Sequence, residues 1–113
     1  MEMTLSKKRC LFSRNISYLV IYLNTLPETM AALDQVKRPQ ELADLYAERG
    51  IGIKDSLHRD GMAADILLYL NGIYQVNTEA YRKAGEMWKE MHPHHRWGGD
   101  FPKPDGNHFE MMI

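Results

Sequence analysis

Two short stretches carry residue types able to do chemistry together. Residues 56–65 read SLHRDGMAAD, with His58 and Asp65 seven apart around a glycine and two alanines. Residues 105–109 read DGNHF, with Asp105 three residues before His108. His58, Asp65 and His108 together offer two imidazole nitrogens and one carboxylate oxygen, a proper zinc donor set. Three protein ligands leave a fourth position for water, which marks a catalytic rather than a structural site. Water acidified there becomes a nucleophile. A nearby carboxylate must then take and return protons. Asp105 suits that task if the chain turns at Gly106-Asn107. Gly61 and Ala63 permit the close backbone approach such a loop needs, and Ser56 can steady the loop by bonding its backbone. The same residues also read as a loop histidine, a strand-edge aspartate and an Asp-Gly turn. Spacing alone does not choose between the two readings.

The surrounding pattern must position these residues. Ser6 is a candidate cap for a helix starting near Lys7. Phe12, Ile16, Leu19, Val20 and Leu23 then recur at helical spacing, and Pro27 lies where such a helix stops. Residues 28–37 fit either a helix or a short strand. Pro39 suits the first turn of a second helix with Leu42, Leu45 and Tyr46 inward and Gly50 as its C-terminal cap. From Ala64 the period becomes two: Ile66, Leu68 and Leu70 point one way, Asp65, Leu67 and Tyr69 the other. Asn71-Gly72 is a strong hairpin signal, with Ile73 to Val76 as the return strand. Thr78 is read as the cap of a helix from about Glu79 to Met91, whose apolar face carries Tyr81, Ala84, Trp88 and Met91. The tail is rich in Pro and Gly until HFEMMI, a closing strand. The sum is a small α+β domain, read as one unit over residues 1–113.

Composition narrows the classes. The length of 113 residues suits one domain. A net charge of −1 argues against a broad nucleic-acid-binding surface. Cys10 is the only cysteine, which excludes an internal disulfide and a four-cysteine zinc site. Such usage suits synthesis in a reducing cytosol. Lys7, Lys8 and Arg9 precede YLVIYL at 18–23, but Arg14 and Asn15 interrupt the stretch, so no signal peptide is expected. Nothing approaches the run of about 20 apolar residues that spans a bilayer. The basic residues near the start read as a solvated helix face, able also to attract an anionic wall or membrane surface. His92, His94 and His95 form a cluster that reads as a solvated loop, since no carboxylate or cysteine partner is built in. Trp97 fits a cleft wall or the core equally well.

The two motifs together resemble a known family. SLHRDGMAAD fits Ser-x-His-x-x-Gly-x-Ala-x-Asp and resembles the zinc motif of the VanY-like D-alanyl-D-alanine carboxypeptidase family, which includes phage L-alanyl-D-glutamate endopeptidases. DGNHFE, with RWGGDF at 96–101, resembles the second half of that family's site. The small phage endolysins of the family also open with a stretch similar to TLSKKRCLF at 4–12. The resemblance implies a hedgehog/VanY-like antiparallel sheet with flanking helices around a zinc cleft. It implies Zn²⁺ on His58, Asp65 and His108, and Asp105 as general acid/base. It adds Arg38, whose guanidinium would bind a substrate carboxylate or an oxyanion. Ser56 and Trp97 fall on the substrate side. The family often has a glutamine where this sequence has Leu42, with Gln40 two residues earlier.

The implied activity is hydrolysis of peptidoglycan stem peptides, at the L-alanyl–D-glutamate bond, by a monomeric phage or prophage endolysin acting in host cell lysis. It would be made in the host cytoplasm and act on the wall after release, without membrane insertion or nucleic acid. Two alternatives remain: a D-alanyl-D-alanine carboxypeptidase or dipeptidase with the same site, and a non-catalytic wall-binding domain.

Overall fold

The computed structural model describes residues 3–34 and 62–112. The readings for Arg38, Leu42, Ser56, His58, Gly61 and the helix after Pro39 fall outside the described residues.

Helix α1 spans Leu5–Thr25. Thr4, not Ser6, caps it, because its hydroxyl accepts from the Lys7 amide at 3.2 Å. Phe12, Ile16, Leu19 and Leu23 are buried as the stripe requires, joined by Asn15. The ambiguous stretch that follows is a strand, β1 (Thr29–Leu33), and every residue of it pairs with β2 (Ala63–Leu70). Asn24 settles the choice locally. Its side chain donates to the Ala31 carbonyl at 2.9 Å and accepts from the Ala31 amide at 3.1 Å, tying the strand to the helix end.

Asn71 and Gly72 take φ values of 52° and 78°, the left-handed conformation a two-residue hairpin turn needs. The return strand β3 is only Ile73–Tyr74, shorter than the sequence suggests. One further bond, from the Gln75 amide to the Leu68 carbonyl at 2.9 Å, follows before the chain leaves the sheet. Asn77, not Thr78, then caps a 3₁₀ turn at Thr78–Tyr81 by accepting from the Ala80 amide at 2.9 Å. Helix α2 follows at Arg82–Met91. Two short strands complete the sheet: β4 (His95–Trp97) and β5 (His108–Met111). The order is β1-β2-β5-β4, all antiparallel, with β3 also on β2.

The pleat divides the sheet into two faces. Ile66, Leu68, Phe109, Met111 and Trp97 share one face and are buried. Trp88 of α2 stands edge-to-face with Phe12 and Phe109, at 5.7 and 6.2 Å between centroids. Its Nε1 donates to the carbonyls of Arg96 and Glu110, both at 3.1 Å, and so pins α2 to β4 and β5. This is the α+β architecture expected, with the two described helices on one side. Among the described residues no helix is long and apolar enough to cross a membrane.

One histidine departs from its expected place. His95 is not in a solvated loop: it is 5% exposed and stacks on Trp88 at 3.4 Å. Its Nδ1–H donates to the Trp88 carbonyl at 2.7 Å, leaving Nε2 to accept from the Asn15 amide at 3.3 Å. The neutral ring is thereby satisfied on both sides. Burial, outweighing the bond to Trp88, lowers its pKa from 6.5 to about 4. The unfolded chain thus takes up a proton that the folded chain refuses in this window. The contribution of His95 to stability is full above pH 6.5 and falls as pH drops toward 4, by about 3 kcal/mol in all. Urea unfolding with a chelator present is expected to show about half of that loss by pH 5, and His95→Gln should flatten the slope.

Candidate metal centre

The opposite face of the sheet carries the polar residues. Asp65 on β2 lies directly across from His108 on β5, and Glu110 lies across from Arg96 on β4. Period two puts His108 and Glu110 on the same face, so the four form a stepped row that crosses from β2 to β5, runs along β5 and crosses to β4: Asp65, His108, Glu110, Arg96. Asp65 of the first motif and His108 of the second therefore meet in space.

Within the row, His108 and Glu110 are fully buried. His108 Nε2 and Glu110 Oε1 are 2.6 Å apart. The other Glu110 oxygen accepts from Arg96 Nε at 2.9 Å and also from Arg96 Nη2. On its other side His108 turns Nδ1 toward Asp65 Oδ1, 3.6 Å away. That separation is too long for a hydrogen bond. Asp65 Oδ1 is buried and has no hydrogen-bond partner. A buried orphan oxygen is costly unless something compensates it.

The donor atoms fit a divalent metal. Two bonds of about 2.0–2.1 Å meeting at a tetrahedral angle separate their donors by about 3.3 Å, close to the 3.6 Å seen. The electrostatics agree. Burial alone would lower the proton affinity of His108, but Asp65 and Glu110 outweigh it and push the pKa up to about 9. Burial likewise would raise the Glu110 carboxyl, yet His108 and Arg96 hold it below the usual range. Two carboxylates that attract a proton to this spot would attract a cation there as well. Among the described residues no group of three or more His, Cys, Asp or Glu is placed to hold a metal. The further ligand read from the sequence, His58, lies outside the described residues.

The segment between β4 and β5 places Asp105. Gly98 begins a 3₁₀ turn, and its carbonyl accepts from the amides of Phe101 at 3.1 Å and Asp105 at 2.9 Å. The Asp105 carbonyl in turn accepts from the His108 amide at 3.1 Å, which is the tight turn expected at Gly106-Asn107. Asp105 lines a pocket with Tyr74, Gln75, Thr78, Tyr81 and Asn107. The Tyr81 hydroxyl bridges that wall, donating to the Gln75 carbonyl at 3.0 Å and accepting from the Leu68 amide at 3.3 Å. Burial pushes its pKa up to about 12, so it stays protonated.

Trp97 is core, which corrects its substrate-side reading. It is fully buried, and its indole Nε1 donates to the Gly106 carbonyl at 2.6 Å. Gly85 and Gly99 leave the room its ring occupies. Its service to the site is to hold the turn that carries Asp105 and His108.

Gly98 is equally constrained. A Cβ there would collide with the Asp105 carbonyl oxygen and lie 2.9 Å from the His108 Cβ. Gly98→Ala is expected to cost about 1–3 kcal/mol in urea unfolding, as overpacking does, and to shift the amide resonances of both Asp105 and His108.

Sequence reasoning missed Glu110 and Arg96. The signal for Glu110 was present: a carboxylate two residues from a candidate ligand histidine in a strand must share its face.

A family model described as D-alanyl-D-alanine carboxypeptidase matches residues 49–111, more than half of the chain. No curated protein matches the sequence. The L-Ala D-Glu endopeptidase ChiX of Serratia marcescens has a similar fold, with a TM-score of 0.62 at 17% identity. The likeness covers 89% of this chain and 77% of that one. The matched stretch contains both motifs and the Asp65–His108 pair, and the chain belongs to the D-alanyl-D-alanine carboxypeptidase family of peptidases.

Proposed function

We propose that this peptidase is zinc-dependent and hydrolyses peptidoglycan stem peptides at the L-alanyl–D-glutamate bond, as a phage or prophage endolysin. The observation that carries the reading is the buried, orphaned Asp65 oxygen facing His108 Nδ1 inside the family's motif. His58, Asp65 and His108 would hold the ion. When bound, zinc supplies Lewis acidity toward a carbonyl oxygen and acidifies water. Asp105 takes the proton of the attacking water at its carboxylate and delivers it to the leaving amine. Arg38 holds a substrate carboxylate or the developing negative charge through its guanidinium. The choice of bond is supported by the fold shared with an L-Ala D-Glu endopeptidase. The endolysin role is supported by the stretch TLSKKRCLF at 4–12. In that role the chain is made in the host cytoplasm and reaches the wall at lysis.

A second reading, removal of terminal D-alanine, is favoured by the description of the matched family. Mass spectrometry of purified peptidoglycan after digestion separates the two. New N-terminal D-glutamate without free D-alanine is expected. Free D-alanine or its dipeptide, with the L-alanyl bond intact, would replace the proposed bond with the second reading.

A further inference from the structure

We propose that Glu110 is a positioning residue that sets the tautomer of His108, and that Arg96 enforces it. The inference rests on the metallopeptidase reading and concerns residues the chemistry does not touch.

The argument begins with donors and acceptors. An ionised carboxylate only accepts, and a guanidinium only donates. Arg96 occupies one Glu110 oxygen, so the other, 2.6 Å from His108 Nε2, must accept from it. The proton of the neutral ring therefore sits on Nε2, and the lone pair sits on Nδ1. That lone pair faces Asp65, where a metal would lie. Glu110 is fully buried, whereas the Arg96 side chain is 43% exposed. The row thus anchors a deep carboxylate from the rim of the sheet. Ligand histidines held through their second nitrogen in this way bind metal more tightly, and loss of the partner costs roughly 10–100-fold in affinity.

Glutamine at position 110 gives a sharper consequence than simple loss. Arg96 can only donate, so the amide oxygen must face Arg96 and the amide NH₂ must face His108. Nε2 then has to accept, and the proton moves to Nδ1, against Asp65. A metal would have to displace it. Removing the guanidinium frees the amide to flip and restores the original tautomer.

The test measures zinc affinity by competition with a chromogenic chelator. It is joined to ¹⁵N shifts of the His108 ring in metal-free protein at alkaline pH, where the ring is neutral. Glu110→Gln is expected to bind zinc roughly 10–100-fold more weakly, with its proton on Nδ1. Arg96→Met combined with Glu110→Gln should bind more tightly than Glu110→Gln alone, a rescue that general loss of structure would not produce. Zinc affinity unchanged in Glu110→Gln would overturn the inference, as would no rescue in the double variant. The wild-type shifts test it without any variant: a proton on Nδ1 sinks it even if no variant folds. Wild-type protein that binds no zinc would remove the metallopeptidase reading and this inference together, whereas tight wild-type binding with an indifferent Glu110 would remove this inference alone.

Discussion

Alanine in place of Asp105 is expected to lower peptide release from purified peptidoglycan roughly 100- to 10,000-fold, the range that a positioned acid–base group supplies. The fold should survive. Two main-chain contacts at this turn, from the Asp105 amide to Gly98 and from the His108 amide to Asp105, are kept by alanine. Zinc affinity should stay close to that of wild type, because Asp105 is read as a proton carrier and not as a ligand. Asp105→Asn isolates the chemistry further: it preserves shape and removes the proton acceptor. Release rates of both variants, measured beside their thermal midpoints, check the assignment. An asparagine variant with wild-type release would place the general base elsewhere.

His108→Ala should have a larger and different effect, because it removes a proposed ligand and a structural ion partner together. The imidazole is fully buried between two carboxylates. Its loss leaves Asp65 and Glu110 without the group between them, a deletion that typically costs about 3–5 kcal/mol. Zinc binding should fall by more than the roughly 100-fold that an outer partner alone commands, and peptide release should vanish with it. The stability effect carries a pH signature in the metal-free protein. The folded pKa of His108 is raised from 6.5 to about 9, so its contribution is fully present below pH 6.5 and is lost as pH rises through 9. That contribution is about 3 kcal/mol. Urea unfolding in chelator should therefore show a larger gap between wild type and His108→Ala at pH 6 than above pH 9. An equal gap at both would mean that the ring is held by packing and not by the carboxylates.

The elements with strong periodicity were legible, and the pair they position came with them. The α1 stripe, the alternation of β2, the Asn-Gly turn and the closing strand were each fixed by side-chain spacing, and those strands bring Asp65 to His108. Where the sequence left a choice open or misled, the cause is shared: long-range contacts outvoted local preference. Thr29 to Leu33 reads TMAAL, with good helix formers, and becomes a strand through pairing with β2 and the clasp of Asn24. His95 to Trp97 looked like a loop beside Pro93. It becomes a strand through pairing with β5 and the Trp88 indole, which receives His95 as a stacking partner. Trp97 could not be assigned from sequence, since its burial depends on Gly85, twelve residues earlier in the chain. Arg96 was the least visible. Its role exists only because β4 lies beside β5 and puts it opposite Glu110.

The most direct test of the central claim is release of new amino groups from purified peptidoglycan by the wild-type protein, with chelator, with zinc restored, and beside Asp105→Ala. The account predicts release that stops with chelator, returns with zinc and is absent in the variant. Folded, zinc-loaded protein that releases nothing from several wall types would contradict it, and would leave the Asp65–His108 pair as a metal site without this chemistry.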